Sequence, residues 1–310
     1  MSEREIVCGD LGLAIDDLKQ GGFGLDLIYP ADDPHTAVLS RGAESVRLTN
    51  RPDAPPPADA LPPFAPEFVL TRAGASPAQG RAGMLYRDLV PSRLGGRYIA
   101  SHIAIPEGGP VADWVHFHRI ALQMIYVRRG WVRVVYEGQG DAFVMQEGDL
   151  VLQPPQIRHR VLESSDGLEV IEVSAPALHA TFADHELQLP SGNDPDRLFG
   201  GQRFLRHVAA DTAWTPFNGG EAQEIAIAEA TEGLADLRTV RRGQAASIDF
   251  PAHDGELVFG FVLDGSATLE SAQRHVLGAA DAFVIPPGQP WHLTGASSDF
   301  RLLHLTTSRI

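Results

Sequence analysis

The stretch WVHFHRIALQMIYVRRG at residues 114–130 decides the fold, together with GDLVLQPPQIRHRV at residues 148–161. Both contain short β-rich runs separated by glycine or proline turns, which is typical of an all-β protein. On a strand, alternate side chains share one face, so His116 and His118 point the same way. Two imidazoles at this spacing can bind one metal ion from a single strand. His159 begins a later strand after a proline-restricted turn, which can return it beside that pair.

The two stretches resemble the linked motifs of the cupin superfamily. The family pattern is His-x-His, three or four residues, a glutamate and a hairpin glycine, followed later by Gly-Asp, a proline turn and a third histidine. The resemblance implies that His116, His118 and His159 are metal ligands. It places Gln123 where the family most often has glutamate, either as a ligand through its amide oxygen or as a hydrogen-bonding or spacing residue. Glutamine would leave a divalent ion at its full charge.

The second half of the chain repeats the rhythm of the first. VFGFVLDGSATLE at 258–270, followed by GAADAFVIPPGQPWHL at 278–293, has the same order of strands and turns. Such duplication implies two similar β-barrels in tandem. The predicted fold class is all-β, with two tandem cupin (double-stranded β-helix, or jelly-roll) barrels after a small N-terminal α/β segment. The predicted units are an α/β segment at 1–50, a Pro-rich linker at 51–66, a metal-binding first cupin domain at 67–180 and a degenerate second cupin domain at 181–310.

The second half departs from the motif at the ligand positions. Aligning the two hairpins puts Pro251 and His253 on the His-x-His positions, Val258 on the acidic position and Trp291 on the third histidine. One histidine cannot build a metal site, so the second barrel is predicted to be structural, an interface or a lid. We therefore expect one divalent metal ion per chain.

Three side chains are candidates for the substrate pocket. Trp114 shares the ligand face of its strand, although it could instead pack in the core. Tyr98 and His102 share a parity on the preceding strand and could face either the pocket or the outside of the barrel. No catalytic acid or base is identified. Arg128, before the hairpin glycine, is expected to lie at a solvated hairpin tip.

Composition narrows the class of partner. The chain has 310 residues, with 25 basic and 40 acidic side chains and a net charge of −15. It lacks the basic stripe that a phosphate-tracking nucleic-acid binder needs. The single cysteine, Cys8, excludes an intrachain disulfide and cysteine-rich metal sites. Because the sequence shows neither a signal core nor an apolar run long enough to cross a bilayer, we expect a cytoplasmic protein that binds a small molecule rather than nucleic acid or membrane.

The strand pattern also leads to an expectation about assembly. Segments such as EVIEV at 169–173 and FRLLHL at 300–305 are expected to leave sheet edges that must be covered or paired. Twofold pairing is the commonest solution, so we expect a homodimer.

The ligand set indicates the chemistry. Three imidazoles and an amide oxygen suit Fe(II), Mn(II), Ni(II) or Zn(II), with positions left for substrate and for water or dioxygen. With Fe(II), the favoured metal, resemblance to ring-cleaving and diketone-cleaving cupins implies a dioxygenase acting on an oxygen-chelating aromatic or diketone substrate. With Zn(II) or Mn(II), the site would polarise a carbonyl, as in cupin isomerases and lyases. That chemistry needs a general base, which the sequence does not plainly place. A non-enzymatic small-molecule-binding cupin is the third alternative.

Overall fold

The computed structural model describes residues 3–57, 60–80 and 83–309. Its N-terminal segment contains β1 (Glu3–Val7), α1 (Leu11–Gln20), β2 (Gly24–Tyr29), β3 (Thr36–Arg41) and β4 (Glu44–Thr49). The side chain of Asp10 accepts a hydrogen bond from the backbone N–H of Leu13 (3.0 Å) and so caps the start of α1. The helix packs its apolar face on these strands. No helix among the described residues is long and apolar enough to cross a membrane.

The chain then forms many short strands as far as residue 207. In chain order these are β5 (Val69–Thr71), β6 (Ala78–Gln79), β7 (Leu85–Asp88), β8 (Ile99–Ile105), β9 (Gly109–Pro110), β10 (His116–His118), β11 (Leu122–Arg129), β12 (Val132–Tyr136), β13 (Phe143–Met145), β14 (Leu150–Leu152), β15 (His159–Ser164), β16 (Leu168–Ala175), β17 (Thr181–Ala183), β18 (Leu198–Phe199), β19 (Gln202–Arg203) and β20 (Leu205–His207). The predicted all-β character of this region is confirmed.

The C-terminal part repeats this pattern. A 3₁₀ turn at Ala209–Asp211 leads into β21 (Thr215–Phe217), β22 (Gly220–Ile225), a short helix α2 (Ile227–Ala230), β23 (Ala235–Arg241), β24 (Ser247–Phe250), β25 (Val258–Asp264), β26 (Ser266–Glu270), β27 (Arg274–Gly278), β28 (Ala282–Val284), β29 (Trp291–Thr294) and β30 (Arg301–Thr307).

Each barrel is made of two sheets. In the first barrel, one sheet has the order β1-β4-β3-β2-β17-β10-β15-β12-β13, with β9 also paired to β15, and the other has the order β20-β14-β11-β16-β8-β7-β6. In the second barrel, the orders are β21-β22-β23-β30-β25-β28-β5 and β24-β29-β26-β27. The N-terminal segment therefore continues the sheet that carries the histidines, because β2 pairs with β17.

Strand pairing crosses the domain boundaries predicted from the sequence. The early strand β5 pairs with β28 of the second barrel. β17 lies in a first-barrel sheet, and β20 pairs with β14 of the other first-barrel sheet. The boundaries near residues 67 and 180 stay predictions, but the two barrels exchange edge strands across them.

A shared apolar core joins the two barrels. Buried residues from both halves form one cluster, with members such as Leu122, Met124, Phe259, Phe261 and Leu305. These side chains come from the seven-stranded sheet of each barrel, so the two seven-stranded sheets pack face to face. Burying both faces of each seven-stranded sheet explains why β11 and β25 are apolar and buried along most of their length.

The second barrel contains stacked aromatic rings where the first contains histidines. Phe250 and Trp291 lie in parallel, with centroids 3.7 Å apart. Phe283 and His304 approach the Trp291 ring edge-on at 5.3 and 5.5 Å. Burial lowers the pKa of His304 to about 3, which keeps this imidazole neutral. The interior is thus filled by packing.

Candidate metal centre

The three predicted histidines converge inside the first barrel. His116 on β10 lies directly opposite His159 on the antiparallel strand β15. His118 follows two residues later on the same face. One nitrogen of each imidazole lies within 4.8 Å of one nitrogen of each of the others. All three side chains are buried, so the sequence spacing correctly brought these residues together.

Backbone and hydroxyl contacts orient the imidazoles. His116 Nδ1 lies 2.7 Å from the carbonyl oxygen of Trp114, and His159 Nδ1 lies 3.0 Å from that of Ile157. A carbonyl only accepts, so Nδ1 carries the proton in both rings and the lone pair is on Nε2. His118 Nδ1 lies 3.5 Å from Thr181 Oγ1. Fixing one ring nitrogen so that the other can ligate is how proteins present histidine to a metal ion.

This donor set fits a divalent transition metal. Three neutral imidazoles at close range, without a competing lysine or arginine among the described residues that line the cavity, suit Fe(II), Mn(II), Ni(II) or Zn(II). The carboxylate of Asp113 lies 3.4 Å from His116 Nδ1 and further favours that tautomer.

Gln123 lies on the cavity wall opposite the histidines. It belongs to a hydrogen-bonded chain of polar side chains. Its Oε1 accepts from Gln153 Nε2 (3.0 Å), which also lies 3.2 Å from His159 Nε2. Its Nε2 donates to Glu172 Oε1 (3.2 Å). Tyr136 donates to Gln153 Oε1 at 2.8 Å. Burial raises the pKa of the Tyr136 phenol, so the hydroxyl stays protonated and remains a donor.

Sequence reasoning missed Tyr136, Gln153 and Glu172. Each is a polar side chain at an inward-facing position of an otherwise apolar strand or strand end, as in VRVVY, LVLQ and LEVIEV. Every second side chain of a strand faces the same way, so a polar residue at an inward-facing position is the signal that would have identified them. It also corrects the expected charge of the site. Although residue 123 is an amide, Glu172 brings a carboxylate into the same cavity.

The rest of the cavity wall is mostly apolar. The cavity measures about 80 Å³, which is room for a handful of water molecules or a compact ligand. Its apolar lining consists of Met84, Ile103, Ile105, Ile125, Val132, Val134, Met145, Val161, Leu168 and Val170, with the ring of Tyr86.

Two residues predicted for the substrate pocket lie elsewhere. Tyr98 faces the second barrel, where its hydroxyl lies 2.9 Å from both Glu256 and Thr307. His102 faces the same way and its Nε2 lies 2.8 Å from Glu169 Oε2. On β8 the inward face belongs to Ile103 and Ile105. Parity alone showed that Tyr98 and His102 share a face, but not which face looks inward.

Trp114 also lies outside the cavity lining. Its ring is 6.2 Å from the ring of His116 but packs against the core of the N-terminal segment. Lys19 Nζ of α1 lies 5.8 Å from its ring centroid. Trp114 therefore contributes its carbonyl oxygen to the metal centre, while its indole anchors the N-terminal segment.

Comparisons with known proteins identify the fold. No protein-family model matches the sequence, and no curated protein matches it. A salicylate 1,2-dioxygenase from Pseudaminobacter salicylatoxidans superposes with a TM-score of 0.57 at 17% identity, covering 80% of this chain and 87% of the other. An oxalate decarboxylase from Lactobacillus farciminis gives 0.57 at 13% identity, covering 82% and 88%. The chain has a bicupin fold.

A third structure agrees with this result. The putative glyoxylate-induced protein from Pseudomonas aeruginosa superposes with a TM-score of 0.58 at 13% identity, covering 83% of this chain and 94% of the other. At these identities the likeness establishes the fold alone. The fold does not fix the reaction, which depends on the residues of the cavity.

Proposed function

We propose that this bicupin is a metal-dependent dioxygenase that uses Fe(II) and acts on a small oxygen-chelating aromatic or diketone substrate. The observation that carries the proposal is the convergence of three buried, pre-oriented imidazoles in a compact and mostly apolar cavity. A bound ferrous ion would supply the redox chemistry with dioxygen. The salicylate 1,2-dioxygenase of similar fold lends support by analogy.

The chain's own residues would bind and orient. The carbonyl oxygens of Trp114 and Ile157 hold two ligand rings in place. The apolar wall limits water in the cavity and so strengthens polar interactions inside it. Gln153 Nε2 contacts the His159 nitrogen that a metal would take, so metal binding would leave this N–H group to donate to a substrate oxygen. Tyr136 holds Gln153 in that orientation.

A Zn(II)- or Mn(II)-dependent isomerase or lyase is the second candidate, and one specific observation favours it. This chemistry needs a base to move a proton beside a polarised carbonyl. The Glu172 carboxylate lines the same cavity as the three histidines. Glu172 would thus serve as the base that sequence analysis did not identify.

Oxygen consumption separates the two candidates. Protein prepared without metal would be loaded anaerobically with Fe(II) or Zn(II) and mixed with catechol, hydroxyaromatic acids and β-diketones. If the protein is a dioxygenase, oxygen uptake will match substrate loss and will require Fe(II). Turnover that proceeds equally without oxygen would overturn it in favour of the second candidate, and metal-dependent binding without any turnover would favour a non-enzymatic role.

Metal content tests the site itself. We expect elemental analysis to find about one divalent ion per chain. Alanine at His116, His118 or His159 should each remove the ion while the circular dichroism spectrum is retained, because the barrel cores are apolar. His292→Ala, which changes a partly exposed histidine of the second barrel, is the matched control and should retain the metal. Two tightly held ions per chain would show that the second barrel also binds metal.

A further inference from the structure

Three side chains from adjacent strands form one polar row on the wall that faces the histidines. Gln153 follows β14, Gln123 lies on β11 and Glu172 lies on β16, and β11 is hydrogen-bonded to both neighbouring strands. Gln123 is therefore the middle member, with an amide on one side and a carboxylate on the other. Gln123 and Gln153 are almost fully buried, so their amide groups must satisfy their hydrogen bonds within this row.

The chemistry of the end groups fixes the direction of the whole row. A carboxylate only accepts, so Gln123 must present its NH₂ group to Glu172 and its Oε1 to the other side. On that side Gln153 donates its NH₂ group to Gln123 Oε1 and turns its own Oε1 to the hydroxyl of Tyr136. Turning the Gln123 amide around would place its oxygen against the Glu172 carboxylate and its NH₂ against the NH₂ of Gln153. Both contacts are repulsive.

We propose that Glu172 is a positioning residue of the metal centre, which holds the amide of Gln123 with its oxygen turned away from β16 and towards the His159 side of the cavity. The proposal rests on the metal site of the proposed function but not on the reaction. It assigns Glu172 a role through Gln123, because the Gln123 amide is the group that the carboxylate contacts on the histidine side.

A second contact explains why the carboxylate is itself well placed. Ser174 Oγ donates to the same oxygen, Glu172 Oε1, at 3.2 Å. Ser174 lies directly opposite Gln123 in the strand register, and Glu172 is its neighbour on the same face two residues earlier. Ser174 therefore offers a control that contacts the same carboxylate oxygen of Glu172. Its removal should leave the hydrogen bond from Gln123 intact.

The test is a double-mutant cycle read out on the metal rather than on catalysis. Wild type, Gln123→Leu, Glu172→Leu and the double variant are loaded with Co(II). The dissociation constant and the visible absorption spectrum, which responds to the number and type of ligands, are measured for each. We expect each single variant to weaken Co(II) binding by about tenfold and to change the spectrum in the same way. The double variant should be no worse than either single variant, since Glu172 acts only through Gln123.

Two further variants keep the result interpretable. Glu172→Gln retains an oxygen acceptor of the same shape, so its spectrum should stay close to wild type. Ser174→Ala should bind Co(II) within about threefold of wild type. The melting temperature of each metal-free variant shows whether it folds. If Glu172→Leu does not fold, Glu172→Met, which also removes the acceptor but keeps the length of the side chain, gives the same comparison alone and combined with Gln123→Leu.

The outcomes distinguish this inference from the proposed function. Additive losses in the double variant, or a wild-type Co(II) spectrum in a folded Glu172→Leu protein, would overturn the positioning role and leave the metal site standing. A wild-type protein that binds no Co(II) would overturn both the metal site and this inference.

Discussion

At the scale of single residues, the carboxylate of Asp113 lies against His116, one of the three candidate metal ligands. It is buried beside His116 Nδ1, and its other oxygen accepts the backbone N–H of Val161 at 2.9 Å. A carboxylate next to Nδ1–H makes the opposite nitrogen a better ligand. We therefore expect Asp113→Asn, which can retain the Val161 contact, to weaken metal binding by about tenfold.

Competition with a chelator of known affinity measures this effect. Asp141→Asn changes an exposed aspartate of the same barrel and should leave the metal affinity unchanged. If Asp113→Asn lowers the melting temperature of the metal-free protein but leaves metal affinity at the wild-type value, Asp113 would be a structural residue only.

Local sequence predicted the convergence of the three histidines better than it predicted their surroundings. His116, His118 and His159 follow from strand parity and a two-part motif, both of which are local. The position of Arg128 does not follow from local sequence. Expected at a solvated hairpin tip, its side chain is only 12% exposed, pairs with Glu169 and lies 5.6 Å from the ring of Phe261. That ring belongs to the second barrel, so the burial of Arg128 depends on how two distant segments dock.

At the scale of strands and sheets, the tandem repeat was predictable and the exchange of edge strands was not. The duplicated order of strands and turns in the two halves predicted the two barrels. β5 and β20 are only three residues long, and nothing in their composition says which barrel they join. Their partners are set by the packing of the two seven-stranded sheets, which brings each short strand to the edge of the opposite barrel.

The strand β29 carries one of the two stacked rings inside the second barrel. Trp291 stands where the third histidine of a metal site was aligned, and it is stacked on Phe250 and buried. We expect Trp291→Ala to cost about 3–5 kcal/mol of unfolding free energy, because the surrounding rings cannot close the cavity. Metal binding in the first barrel should be retained.

Urea denaturation of the metal-free protein measures this cost. Trp214→Ala removes a partly exposed indole that lies under Arg241, and we expect it to cost at most about 1 kcal/mol. Equal costs for the two tryptophans would contradict a packed aromatic interior in the second barrel.

At the scale of the whole molecule, the two segments expected to leave sheet edges open lie inside their sheets. EVIEV lies in β16, which is paired with β11 and β8, and FRLLHL lies largely in β30, which is paired with β23 and β25. These strands are therefore interior strands, and they leave no edge to cover. The homodimer stays a prediction, expected to give twice the chain mass of 33.4 kDa by light scattering. A mass of one chain at micromolar concentration would contradict it.

An ion cluster at the junction of the barrels makes stability depend on pH. Glu169 accepts from His102 and pairs with Arg128, and Arg128 in turn reaches the Leu263 carbonyl of the second barrel at 3.4 Å. The hydrogen bond from His102, followed by the charge of Arg128, lowers the pKa of Glu169 from 4.5 to about 2. A carboxyl whose pKa falls on folding stabilises the native state above its unfolded pKa. That stabilisation is lost as the pH falls from about 4.5 towards 2.

Replacing this carboxylate should remove both the stabilisation and its pH dependence. We expect Glu169→Gln to lower the free energy of unfolding at pH 7 by about 2 kcal/mol. Between about pH 4.5 and pH 2, the variant should lose less stability than the wild type, because one fewer group takes up a proton on unfolding. Urea denaturation of the metal-free protein at several pH values measures both effects. Glu107→Gln, at an exposed position, is the matched control. If Glu169→Gln and wild type lost stability in parallel over this range, Glu169 would not carry the pH dependence of the junction.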